Sequence, residues 1–219
     1  MINLSNVTLV CVSSIKINSS IQALVDSMSV VKFYDVKFIT DIDANVSGIK
    51  TEKCEKIKTI HEYNDFMIYD LHKYIESDFC LVVQYDSRII HPDMWNDEFL
   101  SYDYIGAPWP IPGTEWRRNA TLVNSDNVVL DKFDDKYRVG NGGFSLRSRR
   151  LLTTPLRINI PKNNRNEDVL ISIYYRHLYE QDGNVFAPFE VANKFSKEWG
   201  NHKTFGKHRG FDDHSICYI

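Results

Sequence analysis

Glu167 and Asp168 are carboxylates placed where a proton could be drawn from an attacking hydroxyl. Asn166 before them reads as a helix N-cap, which puts both acids in a first turn where the helix dipole favours the ionised form. An ionised carboxylate there can work as a general base, although first-turn acids serve equally as plain helix stabilisers. Adjacent helical residues point about 100° apart, so one of the pair at most faces a reacting centre. Asp168 is the first candidate and Glu167 the second. Nineteen residues before Asn166 ends the run Val139-Gly140-Asn141-Gly142-Gly143-Phe144-Ser145-Leu146-Arg147, with three glycines in four positions. Such backbone turns sharply and admits another molecule without a Cβ in the way. Gly142 and Gly143 are therefore candidates to meet a polar substrate; the plainer expectation is a tight turn before a strand.

Asp86 ends the apolar run Phe79–Val83 within Gln84-Tyr85-Asp86-Ser87. A carboxylate in that position suits a hard divalent cation such as Mg²⁺ or Mn²⁺, which takes few protein ligands and bridges phosphate oxygens. Such an ion would neutralise a departing diphosphate; a simple turn after a strand is the other use of Asp at that point. Asp41-Ile42-Asp43 is a literal D-x-D but follows only the second strand, so Asp41 is read as a nucleoside contact and the metal role goes to Asp86. His202, His208 and His214 recur at spacings of six, which matches no helical zinc motif. One of them, in a segment folding back over the site, could add an imidazole ligand; surface positions accommodate them as well. Trp109 and Trp116 could stack on a bound ligand or simply fill space.

The elements that must position these residues alternate in type. Val7–Ser13 is an apolar run of the kind found in buried parallel strands. Ser19–Val31 carries Ile21, Leu24, Val25 and Met28 at helical spacing, Val36–Thr40 reads as a second strand, and Cys54–Ile60 as a weaker one. Asn64 could cap a helix reaching Glu76, and Phe79–Val83 is the clearest strand. Strands alternating with helices predict right-handed βαβ units, an α/β fold and a mostly parallel central sheet flanked by helices. Ligands then bind at the carboxyl ends of the strands, where Asp41 and Asp86 fall. Pro108 to Lys136 shows strand character only at Thr121–Leu130, and a stretch of that length usually has a functional reason or is mobile. Helical periodicity returns from Glu167 to Tyr179 and stops near Gly183.

With 219 residues, one compact domain is expected, without linker or repeat. A net charge of −3 argues against nucleic-acid binding. The four cysteines, Cys11, Cys54, Cys80 and Cys217, show no C-x-x-C spacing and suggest thiols in a reducing compartment. The start lacks signal-peptide character, and no apolar stretch reaches the roughly 20 residues needed to span a bilayer. A cytoplasmic protein is expected, its oligomeric state unread.

From residue 60 to 211 the chain resembles the DUF5672 family of glycosyltransferase-like proteins. The resemblance is carried by Tyr63-Asn64-Asp65-Phe66-Met67, Val83 to Ser87, Trp95 to Phe99, Asp103-Tyr104-Ile105-Gly106-Ala107-Pro108-Trp109, Val139 to Arg149, Asn166 to Val169, Phe186-Ala187-Pro188 and Phe205-Gly206-Lys207-His208. It implies a single GT-A-like, Rossmann-like domain over residues 1–219. Residues 1–90 or so would form the nucleotide-binding half and 91–219 the acceptor-binding half. It implies a nucleotide-sugar donor of UDP or GDP type, a glycan acceptor and Mn²⁺ or Mg²⁺. Asp41, Asn64, Gln84, Tyr85, Gly142 and Gly143 would lie toward the donor, Asp86 and His208 at the metal, Trp109 at the acceptor, and Asp168 or Glu167 as the base of an inverting reaction. Gln84 departs from the pattern, because it replaces the first acid of the D-x-D and leaves Asp86 alone. The expected activity is therefore sugar transfer to a hydroxyl. An inactive sugar-nucleotide or glycan-binding module is the alternative, and a two-carboxylate glycoside hydrolase a weaker one.

Overall fold

In a computed structural model, which describes residues 1–109, 121–131 and 134–210, the chain folds around one six-stranded sheet. Trp116, His214 and Cys217 lie outside the described residues. Strand β1 (Ile2–Val12) is followed by helix α1 (Ile17–Val30), β2 (Val31–Thr40) and β3 (Lys50–Lys53). Next come α2 (Ile60–Asp65), β4 (Phe79–Val83), β5 (Ser87–Ile89), β6 (Tyr104–Pro108), β7 (Leu122–Val123), β8 (Val129–Leu130) and β9 (Val139–Ser148). The remainder is α3 (Arg149–Arg157), α4 (Glu167–Val169), α5 (Arg176–Gln181), α6 (Phe189–Phe195), β10 (Ser196–Lys197) and β11 (Gly206–His208).

The large sheet runs β3-β2-β1-β4-β9-β6. Its first four strands are mutually parallel, whereas β9 is antiparallel to both β4 and β6. The expected parallel sheet is therefore mixed. Antiparallel neighbours need no helical crossover between them, and β9 follows β6 through a connection that contains the short antiparallel pair β7–β8. Because β6 and β9 join the strands of the first ninety residues, both halves of the chain share one sheet.

Both faces of the central strands are covered, which is why their sequences are apolar without a break. Val7, Leu9 and Cys11 of β1 pack with Leu24 of α1 and with Leu81 and Val83 of β4. Val10, Val12, Cys80 and Val82 point the other way, onto Phe66, Met67, Leu71 and Ile75. Period-two alternation thus divides one run of apolar residues between two cores.

Two boundaries differ from expectation. The third strand is Lys50–Lys53 rather than Cys54–Ile60. It is an edge strand with half-buried and exposed polar side chains, so it carries no apolar signal, and Cys54 only donates its N–H to Thr40 before the chain leaves the sheet. The helix after it begins at Ile60, capped by Thr59, whose hydroxyl accepts from the Glu62 N–H at 3.1 Å. Asn64 is inside that helix and buried. The helix continues through a π turn at Phe66–Asp70 and a 3₁₀ turn at Leu71–Tyr74. Likewise the predicted helix after Asn166 is α4, a π turn at Leu170–Tyr174 and α5, ending beside Gly183 at φ +85°. Among the described residues no helix is long and apolar enough to cross a membrane. Cys11, Cys54 and Cys80 are free thiols.

Candidate functional site

The glycine run forms strand β9, not a turn. Every residue from Val139 to Ser148 is buried, and the run pairs with β4 on one side and β6 on the other. Glycine is needed here because side chains from elsewhere press onto the strand. A Cβ at Gly142 would fall under 3.0 Å from Glu167 Oε1, one at Gly143 under 3.0 Å from the His208 ring, and one at Gly140 under 3.0 Å from the Trp109 ring and Ser172. The space above Gly142 and Gly143, expected to receive a substrate, is thus filled by the acids and the histidine of the site itself. Three separate segments converge on one strand.

On one side stand the acids. Arg147, completely buried, donates through Nη2 to Glu167 Oε1 at 2.8 Å and through Nε to Ser145 Oγ at 3.0 Å. Glu167 is 5% exposed. Asn166 occupies the N-cap position but makes no side-chain cap bond. The capping is done by Asn64, which accepts from the Glu167 N–H at 3.2 Å and donates to Arg165 O at 3.2 Å. Asn64 thus positions the acids and does not cap its own helix. Asp168 is partly buried; it accepts from the Gly142 N–H at 3.4 Å and from the Val169 N–H at 2.7 Å. Burial, followed by the neighbouring charge of Glu167, pushes its pKa up to about 7 against the pull of those two N–H groups.

On the other side stands the pair Asp86 and His208. Strand β11 runs antiparallel to β5 with His208 opposite Ser87, and the Arg209 N–H donates to Asp86 O at 2.8 Å. This register delivers His208 Nε2 to 3.4 Å from Asp86 Oδ1. Burial raises the pKa of Asp86, but His208 and then Arg209 outweigh it, and the carboxyl titrates below its usual range. Glu198 lies behind the histidine, with Oε1 3.8 Å from His208 Nδ1 and 2.6 Å from Arg209 Nε. Its Oε2 accepts from Asn141 Nδ2 at 3.1 Å, and Asn141 Oδ1 in turn accepts from the Gly143 N–H at 3.0 Å. No periodic pattern marked Glu198 or Arg209 in the sequence, and nothing there indicated that Arg147 would be the partner of Glu167.

A cleft of about 320 Å³ opens beside these groups, lined by residues that include Ser13, Ser14, Lys58, Thr59, Tyr63, Gln84 and Tyr85. It lies at the carboxyl ends of β1 and β4, where the strand order reverses direction, the usual ligand crevice of an open α/β sheet. Gln84 donates through Nε2 to the Tyr63 hydroxyl at 3.0 Å, and Lys16 stands 5.6 Å from the Tyr85 ring centre. Asp41 follows β2 on the same sheet edge with Oδ1 buried and no hydrogen-bond partner, but it does not line the cleft. Trp109 is 5% exposed, its ring edge against Gly140, which leaves little of its face open to an acceptor. His202 is exposed, whereas His208 is buried in the site.

Asp86 and His208 fit a small divalent cation. Asp86 Oδ1 is buried without a hydrogen bond, and adjacent ligands on an octahedral ion with bonds of ~2.1 Å stand about 3.0 Å apart, close to the separation seen here. Among the described residues no group of three or more His, Cys, Asp or Glu is assembled to hold a metal.

Residues 47–210 match the family described as protein of unknown function DUF5672, and the chain belongs to that family. No curated protein matches it in sequence. Among solved structures it is similar to residues 1–349 of TarS from S. aureus, with a TM-score of 0.51 and 12% identity over 93% of this chain and 60% of that one. The same protein in complex with UDP-GlcNAc gives 0.48 and 11% over 98% of this chain and 62% of that one. Bifunctional IspDF from Campylobacter jejuni gives 0.49 and 12% over 83% of this chain and 48% of that one. The chain thus spans about three fifths of the TarS chain, and the first likeness is one of fold.

Proposed function

We propose that the chain is a GT-A-like glycosyltransferase that moves a sugar from a UDP- or GDP-type nucleotide sugar to a hydroxyl of a glycan acceptor, with inversion. The observation that carries this reading is the convergence on β9 of a carboxyl with raised pKa, Asp168, and a carboxylate–imidazole pair, Asp86 and His208, beside the switch-point cleft. The nucleoside lies in the cleft against Tyr85 and Gln84. Asp86 and His208 are the residues that would hold Mn²⁺ or Mg²⁺. When bound, that ion supplies charge neutralisation for the leaving group. Asp168 takes the proton of the acceptor hydroxyl as oxygen attacks the donor's anomeric carbon and the bond to the diphosphate breaks. A base of pKa near the working pH combines an available ionised fraction with useful basicity. Glu167, locked to Arg147, is the fixed charge that keeps Asp168 basic. Cys11, Cys54 and Cys80 as free thiols support a cytoplasmic setting.

A thermal-shift screen of nucleotide sugars with and without Mn²⁺, followed by turnover assays, tests the reading. A donor that stabilises the protein only with metal, and transfer lost in both Asp86→Ala and Asp168→Asn, is the expected result. Full transfer by either variant removes that residue from the mechanism. Gln84 in place of a first acid favours a second reading, an inactive sugar-nucleotide binder, in which calorimetry gives donor binding with no turnover on any acceptor.

A further inference from the structure

Trp199 is the open aromatic beside this site. Trp95 and Trp109 pack into the protein, but Trp199 is 54% exposed and belongs to none of the three hydrophobic clusters. It follows Glu198, which is buried against Asn141, His208 and Arg209. Strand β10 ends at Lys197 and the chain bends through Glu198 and Trp199, with the Glu198 carboxylate held inward and the indole next to it left more than half exposed. Gly200, at φ +84°, then bends the chain away.

Arg209 completes the surface. It adopts φ +68°, a conformation that costs a non-glycine residue energy and needs surrounding structure to hold it. That structure is present, because its N–H donates to Asp86 O and its Nε to Glu198 Oε1. The guanidinium, 58% exposed as a side chain, stands 5.8 Å from the Trp199 ring centre. A half-exposed indole with a guanidinium held over its ring puts an apolar stacking surface and hydrogen-bond donors together, which suits a pyranose. The sugar's C–H face lies on the ring, and its hydroxyls accept from the guanidinium.

We propose that Trp199 and Arg209 form the shelf that receives the acceptor sugar, a pyranose presented next to Asp86 and His208. The inference rests on the glycosyltransferase reading for the word acceptor, while the shelf itself is a carbohydrate site whichever reading holds. Exposure of Trp199 means its replacement leaves the fold intact.

Two measurements separate the questions. Tryptophan fluorescence of the wild type is titrated with chito-, malto- and xylo-oligosaccharides in the absence of any donor, and Trp199→Phe and Trp199→Ala are run alongside. A saturable change with at least one series, lost in Trp199→Ala, is expected, and with a transferable donor the acceptor KM of Trp199→Ala rises about tenfold or more, partly restored in Trp199→Phe, while donor affinity is unchanged. No change in the wild type with any series, or an unaltered response in Trp199→Ala, overturns the shelf. Failure of every nucleotide sugar to shift the melting temperature sinks the glycosyltransferase reading instead, with the oligosaccharide titration still deciding the shelf.

Discussion

Asp168 and Glu167 are neighbours in the chain with different partners. Glu167 accepts from a completely buried guanidinium at 2.8 Å. Asp168 has two backbone N–H groups and a carboxylate beside it, so burial and repulsion raise its pKa to about 7. The sign of the consequence follows from linkage. A folded pKa above the unfolded one makes the native state bind more protons, so stability is present in full below about pH 4 and falls as pH rises toward 7. Asp168→Asn removes that penalty. Thermal melts should show the variant more stable than wild type at pH 8, by on the order of 1 kcal/mol because the carboxyl is only partly buried, and indistinguishable or less stable at pH 4. Over the same range wild-type kcat should climb with an acid limb near pH 7, and the variant should have no transfer to titrate. A wild-type acid limb below pH 5 would mean that another group is the base.

At the scale of elements, β9 shows what was legible and what was not. The glycines, the acids after them and the strand-end Asp86 stood out as candidates from residue type alone, and the structure brings them together. Their mutual arrangement did not stand out, because the turn reading took glycine as freedom of φ. None of Gly140, Gly142 or Gly143 has positive φ. Their function is to leave room for side chains from α4, β11 and Trp109, and such long-range contacts leave no local pattern. The same holds for Asn64, which looked like a cap on its own helix and instead serves Glu167, 103 residues away. It holds for β3, whose polar edge carries no apolar signal. Two glycines make the distinction testable. Gly142→Ala places a methyl against Glu167 Oε1 and Asp168 Cβ, so it should cost about 1–3 kcal/mol and displace Asp168, the proposed base, with transfer falling far more than stability predicts. Gly183→Ala meets only Arg150 at 3.5 Å but is strained by φ +85°, so it should cost about 1–2 kcal/mol and leave kcat intact. Equal activity losses in the two would refute this division.

Across the whole molecule, the site depends on a short strand near the end of the described chain. Strand β11 bonds to β5 and β10 rather than to the large sheet, yet it delivers His208 onto β9. It is held there by Phe205, fully buried, whose ring centre lies 5.1 Å from Trp95 and 6.0 Å from both Phe144 and Phe195. Its carbonyl also accepts from the Ile90 N–H at 2.9 Å and the His91 N–H at 3.2 Å. Aromatic packing at one end of β11 therefore fixes His208, the proposed ligand, at the other, and the two should fail together. Phe205→Ala removes a core aromatic, a loss of about 3–5 kcal/mol, which lowers the melting temperature by roughly 10 °C in a protein of this size. Below its own melting point the variant should still lose any metal-dependent response to donor, because His208 is no longer held against Asp86. Leu156→Ala, at a side chain 56% exposed, should change stability by less than about 0.5 kcal/mol and leave that response alone. A Phe205→Ala protein that melts early yet keeps a wild-type metal response would show that β11 holds His208 in place without its aromatic anchor.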